Sequence, residues 1–94
     1  MRTIDRSSAF RHDYKREARG RYRAKLDDLL EPVLFALATD QPLDVHYRDH
    51  ILACDWVGYR ECHIKPDLLL IYRVDTSTLG LARLVYCLVC HSMG

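Results

Sequence analysis

The chain predicts an α+β domain in which two N-terminal helices pack on a small antiparallel β-sheet, and three observations point there. Apolar residues recur at helical spacing between Phe10 and Leu37, and shorter apolar runs of strand length follow from Trp56 onward. Turn residues separate those later runs closely enough for consecutive strands to pair as an antiparallel meander, with the helices covering one face. With 94 residues, the chain is expected to be one domain spanning 1–94, with a single core of limited burial.

Arg2 to Asp5 is short and is expected to begin as an edge strand, after which Ser7 or Ser8 offers an oxygen to cap a helix. Phe10, Tyr14 and Ala18 then recur every fourth residue and should share one helical face, with Arg11, Lys15, Arg16 and Arg19 around the others, and Gly20 ends the helix. Leu26, Leu29, Leu30, Val33, Leu34 and Leu37 mark the second helix, the clearest in the chain. Pro32 falls in its middle and predicts a kink, because the ring removes a hydrogen bond while the apolar stripe continues in register. Asp40-Gln41-Pro42 reads as a loop.

The next strand is expected from Trp56 to Ile64, with Trp56 anchoring the core at the sheet edge. Alternation places Tyr59, Glu61 and His63 on one face and Arg60, Cys62 and Ile64 on the other. Pro66-Asp67 turns the chain into a strand from Leu68 to Val74, Asp75 to Thr78 turns it again, and the last strand begins near Leu79. Tyr59 and Tyr72 are expected to cover the core with their hydroxyls at the surface.

Charge is distributed unevenly. Residues 1 to 25 carry nine Lys or Arg against three Asp or Glu, and residues 26 to 94 carry five against ten, so segments of +6 and −5 hide behind a net +1. Such a basic segment suits phosphate contacts, because Lys and Arg release counterions from nucleic acid; a solvated helix face is the plainer account. No apolar stretch of about 18 residues and no apolar signal core is present, so a cytoplasmic protein without a membrane partner is expected. There Cys54, Cys62, Cys87 and Cys90 should be reduced thiols.

His50, His63, Asp67 and Arg83 stand out because strand ends or tight loops carry them. Acid–base chemistry near neutrality calls for imidazoles or shifted carboxylates, and phosphoryl chemistry for a cation near the developing charge. Each histidine also has an ordinary reading as a surface or turn residue.

From Tyr47 to Arg83 the chain resembles the YafQ branch of the RelE superfamily of bacterial toxins. The matching words are Tyr47-Arg48-Asp49-His50, the run from Trp56 to Arg73, and Leu81-Ala82-Arg83-Leu84. The resemblance implies a RelE-like fold, a neutralising antitoxin as partner, and ribosome-dependent cleavage of messenger RNA without metal or other cofactor. It also implies that the RNA's own 2′-hydroxyl attacks, with His50 and His63 transferring protons or orienting phosphate. Asp67 would be a base or orient an imidazole, and Arg83 would stabilise the anion. The cations Arg11, Lys15, Arg16, Arg19, Arg21, Arg23 and Lys25 would face ribosomal RNA.

The chain departs from that pattern near its end. Cys87 stands where the resemblance implies a histidine acting as general acid, His91 lies eight residues after Arg83, and no terminal aromatic follows. An unperturbed thiol titrates near about 8.5, roughly two units above imidazole, so weakened cleavage is expected unless His91 takes over; an impaired module that binds antitoxin or ribosome without cutting is the alternative. Cys87-Leu88-Val89-Cys90-His91 also has the spacing of a c-type haem attachment site, but no export signal accompanies it. A zinc set of Cys87, Cys90 and His91 with Cys54 or Cys62 is disfavoured because Cys87 and Cys90 would face opposite sides of a strand.

Overall fold

The computed structural model describes residues 1–20, 22–52 and 56–86. Its elements run β1 (Thr3–Arg6), α1 (Ser8–Arg19), α2 (Leu26–Ala38), a 3-10 turn (Val45–Tyr47), β2 (His50–Ile51), β3 (Arg60–Lys65), β4 (Leu68–Val74) and β5 (Thr78–Tyr86). The five strands form one sheet in the order β1-β5-β4-β3-β2. Strands β2 to β5 pair antiparallel, but β1 pairs parallel with β5, so the sheet is not a pure meander. Short turns allow only antiparallel neighbours, whereas β1 reaches β5 after the helical crossover has intervened.

Ser7 is the cap of α1: its hydroxyl accepts from the Phe10 N–H at 3.0 Å and donates to the Ala82 carbonyl at 2.8 Å. Phe10 lies in the core and Tyr14 and Ala18 pack against it, the shared face their spacing requires, and Asp13 and Glu17 are buried on α1 as well. Helix α2 runs unbroken through Pro32 and buries Leu26, Leu30, Val33 and Leu37. Against them the sheet presents Cys62, Ile64, Leu68, Leu70, Tyr72, Leu79, Leu81 and Leu84. Burying each such leucine stabilises the fold by about 2 kcal/mol.

Two sequence expectations for the third strand change. It begins at Arg60, because Gly58 adopts a φ of +92° in a turn that precedes it. Trp56, in that turn, is 36% exposed and packs edge-on against Tyr59 rather than anchoring the core. The strand β2 and the 3-10 turn before it have no counterpart among the sequence expectations, since two residues carry no readable alternation.

The end of β5 shows how α1 serves the sheet. Strand β1 pairs with β5 only as far as Leu81, and beyond it an open edge would leave backbone groups without partners. Helix α1 supplies them with side chains: the Leu84 N–H donates to Asp13 Oδ2 at 3.0 Å, and Arg16 Nη2 donates to the Leu84 carbonyl at 3.2 Å.

Candidate active site

Cross-strand partners share a face of the sheet, and the register lines up a chemically dense row. His50 is opposite Glu61, Glu61 opposite Ile71, and Ile71 opposite Arg83. The neighbouring row is His63, Leu69 and Val85, while Cys62, Leu70 and Leu84 form the row that faces the helices. The face away from the helices therefore carries two imidazoles and a carboxylate at one side and a guanidinium at the other, with buried Leu69 and Ile71 between. The backbones of Glu61 and Arg83, two strands apart, are separated by about 10 Å.

Arg83 owes its position to a bulge. Leu79 and Leu81 point into the core, and strict alternation would send residue 83 there too. Ala82 is an extra residue with no opposite number on β4, so Leu84 resumes the inward series and Arg83 falls on the other face. The guanidinium is then gripped by Asp13, with Nε donating to Oδ2 at 2.7 Å and Nη2 to Oδ1 at 3.1 Å. Burial opposes ionisation of Asp13, but the bonds from Arg83 and Leu84 and the charges of Arg83 and Arg16 outweigh it and hold the carboxyl below its ordinary value.

His50, Glu61 and His63 converge. Their ligand atoms all lie within 4.8 Å of one another, His50 Nε2 is 3.3 Å from Glu61 Oε1, and the two imidazole centroids are 6.2 Å apart. The Nδ1 of His50 lies 2.8 Å from the Arg48 carbonyl, which can only accept, so Nδ1 carries a proton and Nε2 faces the carboxylate. The Arg48 carbonyl is aimed by a left-handed backbone, φ 51° and ψ 44°, at the end of the 3-10 turn. Glu61 does not stand out in the sequence, although alternation places it beside His63; the missing signal is β2, which sets His50 directly across from it.

Asp49, between Arg48 and His50, ties this loop down. Arg60 Nη2 donates to Oδ2 at 3.0 Å and Arg60 Nε to Oδ1 at 3.2 Å, and the Tyr72 hydroxyl donates to Oδ1. Arg60 and Tyr72 are cross-strand partners, so two adjacent strands deliver both donors to one carboxylate. Tyr72 is 1% exposed, contrary to the expectation of a surface hydroxyl, and burial together with Asp49 raises its pKa. Cys62 on the same face is a buried free thiol pushed up to about 12 by burial first and by Asp49 and Glu61 second, which makes it unreactive.

Asp67 sits in the β3–β4 turn, buried, where it accepts from the Tyr22 hydroxyl of the helical layer. Of the basic residues, Arg16 is committed to Asp13, Glu17 and Leu84 at the sheet edge, and Arg11 and Lys15 border an apolar groove between β1 and the helices. Arg19, Arg23 and Lys25 are exposed. Arg21, Cys54, Cys87, Cys90 and His91 lie outside the described residues.

Two imidazoles and a carboxylate also form a donor set that suits a first-row divalent metal, and His50, Glu61 and His63 would be its ligands. Fold and site together define a RelE-like toxin domain, α+β, with a histidine–carboxylate cluster and an arginine on the open face of the sheet. The family described as "Bacterial toxin of type II toxin-antitoxin system, YafQ" matches residues 2–87. An mRNA interferase toxin YafQ of Escherichia coli is 33% identical over 83 residues, 88% of each chain. A metal-bound toxin from Helicobacter pylori has 40% identity and a TM-score of 0.78, covering 92% of this chain and 94% of its own. The Escherichia coli DinJ-YafQ complex superposes with 33% identity and a TM-score of 0.76, covering 92% and 93%. The chain belongs to the YafQ family of toxins.

Proposed function

We propose that this chain is the toxin of a type II toxin–antitoxin pair and cuts messenger RNA on the ribosome in the cytoplasm, held in check by a cognate antitoxin. The observation that carries the chemistry is the convergence of His50, Glu61 and His63 on the face that also bears Arg83. The RNA's 2′-hydroxyl attacks the adjacent phosphorus and the bond to the 5′-oxygen breaks, giving a cyclic phosphate and a 5′-hydroxyl. His63 as the neutral imidazole takes the 2′-hydroxyl proton. His50, protonated on both nitrogens against Glu61, steadies the phosphorane and returns a proton to the departing oxygen. Arg83 offers the Nη1 edge that Asp13 leaves free to the developing anion. Asp67, given over to Tyr22, braces the hairpin that carries His63.

A metal at the cluster would act as a Lewis acid, but the nitrogens it would occupy are those that proton transfer needs, so the scheme is routed through the side chains alone. The antitoxin reading draws support from the DinJ-YafQ assembly of the Escherichia coli relative and from the cationic first segment, which complements an acidic partner. Exposed Arg11, Lys15, Arg19, Arg23 and Lys25, with Arg21, supply the phosphate contacts to ribosomal RNA.

A second reading, a toxin-fold module that binds without cutting, is favoured by one feature of the site: Arg83 already has two of its nitrogens on Asp13. Cys87 in place of histidine points the same way. Inducible expression of the chain alone, with growth and primer extension followed in parallel for Cys87→His, decides between them. Arrest with discrete cuts in the parent supports the nuclease; cuts that appear only in Cys87→His support the binding module.

A further inference from the structure

Beside His63 opens a cleft of about 420 Å³ between α2 and the Val45–Tyr47 turn, a size suited to a small polar ligand, and the proton-transfer scheme makes no use of it. Its walls differ in chemistry. On one side Tyr47 is half-buried and its ring lies 4.0 Å from that of His46, tilted by 35°, an aromatic surface stiffened by neighbours. Arg48 and Lys65 line the cleft with exposed side chains that make no hydrogen bond or ion pair among the described residues. On the α2 side stand Asp28 and Pro32. Pro32 has no N–H for the Asp28 carbonyl four residues earlier, so this wall offers a backbone acceptor without its helical donor beside a carboxylate.

Stacking surface, paired cations and acceptors answer the three parts of a nucleotide: base face, phosphate and amino edge. We propose that this cleft seats a nucleotide of single-stranded RNA next to the scissile phosphate, its base on Tyr47, its phosphate at Arg48 and Lys65, and its edge toward Asp28. A base bearing an exocyclic amino group donates to Asp28, so such bases are preferred over uracil. The inference rests on the nuclease reading and deepens it, since His63 belongs to both the cleft and the proton-transfer cluster.

The test uses the whole purified chain and a fluorescein-labelled tetranucleotide with every ribose 2′-O-methylated, so that nothing can be cut, with binding read by anisotropy. Tyr47→Leu and Lys65→Ala should each weaken binding about five- to tenfold. Tyr47→Phe should restore it, and Arg73→Ala, at the other end of β4, should leave it unchanged. Because Tyr47 borders the core, thermal melting checks that its variants fold; if they do not, the exposed Lys65 variant alone decides the outcome. An unbound parent, or affinities equal in the parent and the cleft variants, overturns the proposal. Cleavage on programmed ribosomes separates it from the nuclease reading. If His63→Ala abolishes cutting while the cleft variants keep parental kcat and KM, the cleft proposal falls and the nuclease stands. If the analogue binds through the cleft and the parent never cuts, the cleft stands and the nuclease falls.

Discussion

Two aspartates hold the site from opposite ends of the strand order, one at β5 and one before β2, and they do so differently. Asp13, 1% exposed on α1, grips a site residue directly: Arg83 donates to it twice, and the Leu84 N–H donates beside it. Asp49, on the loop before β2, touches no proposed catalytic group; Arg60 and Tyr72 anchor it, and His50 follows as the next residue. One clamp sets where a charge sits, at the cost of part of that charge's hydrogen-bonding capacity. The other sets where a loop sits and leaves the imidazole its own bonds. An arginine on a buried or half-buried carboxylate thus identifies an anchor, while the neighbours decide whether the anchor acts on chemistry or on chain path.

The largest effects should separate the two arginines. Arg83→Ala is expected to lower messenger RNA cleavage by about a hundredfold or more, as loss of an anion stabiliser does, with antitoxin affinity nearly unchanged. Arg60→Ala should lower it by only about tenfold through a misplaced His50, and its pH–rate profile should shift where that of Arg83→Ala keeps its shape. Equal losses with equal profiles would erase the distinction.

A smaller effect concerns stability. Asp13→Ala should cost about 2 kcal/mol in urea unfolding, because a buried N–H and a guanidinium lose their acceptor. The folded-state pKa of Asp13 is depressed, so its contribution is complete above the ordinary carboxylate value of about 3.9 and is lost as pH falls through the lower folded value. Parent and variant should therefore converge in stability on acidification below about pH 4. A constant gap down to pH 2 would contradict the assigned ionisation.

The smallest expected effects are near zero. Chelator treatment should leave cleavage unchanged, since His50, Glu61 and His63 carry the proposed steps themselves; loss of activity with restoration by a divalent ion would replace that scheme with a metal-assisted one. Cys62, buried and shifted to about 12 next to the Asp49 clamp, should resist a thiol reagent in the native chain at pH 8.

Local rules determined much of this protein from sequence. Helical spacing marked both helices, Pro66-Asp67 marked the hairpin, and alternation put His63 and Glu61 on one face, because these patterns depend on residues close in the chain. Strand ends and tight loops singled out His50, His63, Asp67 and Arg83, the resemblance at Tyr47 to Arg83 added what each would do, and the family match bears out the relationship that resemblance rests on. Tertiary structure alone decided the rest. The parallel pairing of β1 with β5, the burial of the charged Asp13 and Glu17 of α1, and the union of His50 with Glu61 through a two-residue strand all join segments far apart in sequence. The Ala82 bulge is the sharpest case: one unpaired residue turns Arg83 from the core to the open face. Nothing in the Leu81-Ala82-Arg83 string announces it, because a bulge is set by the partner strand and by the Ser7 hydroxyl that takes up the Ala82 carbonyl.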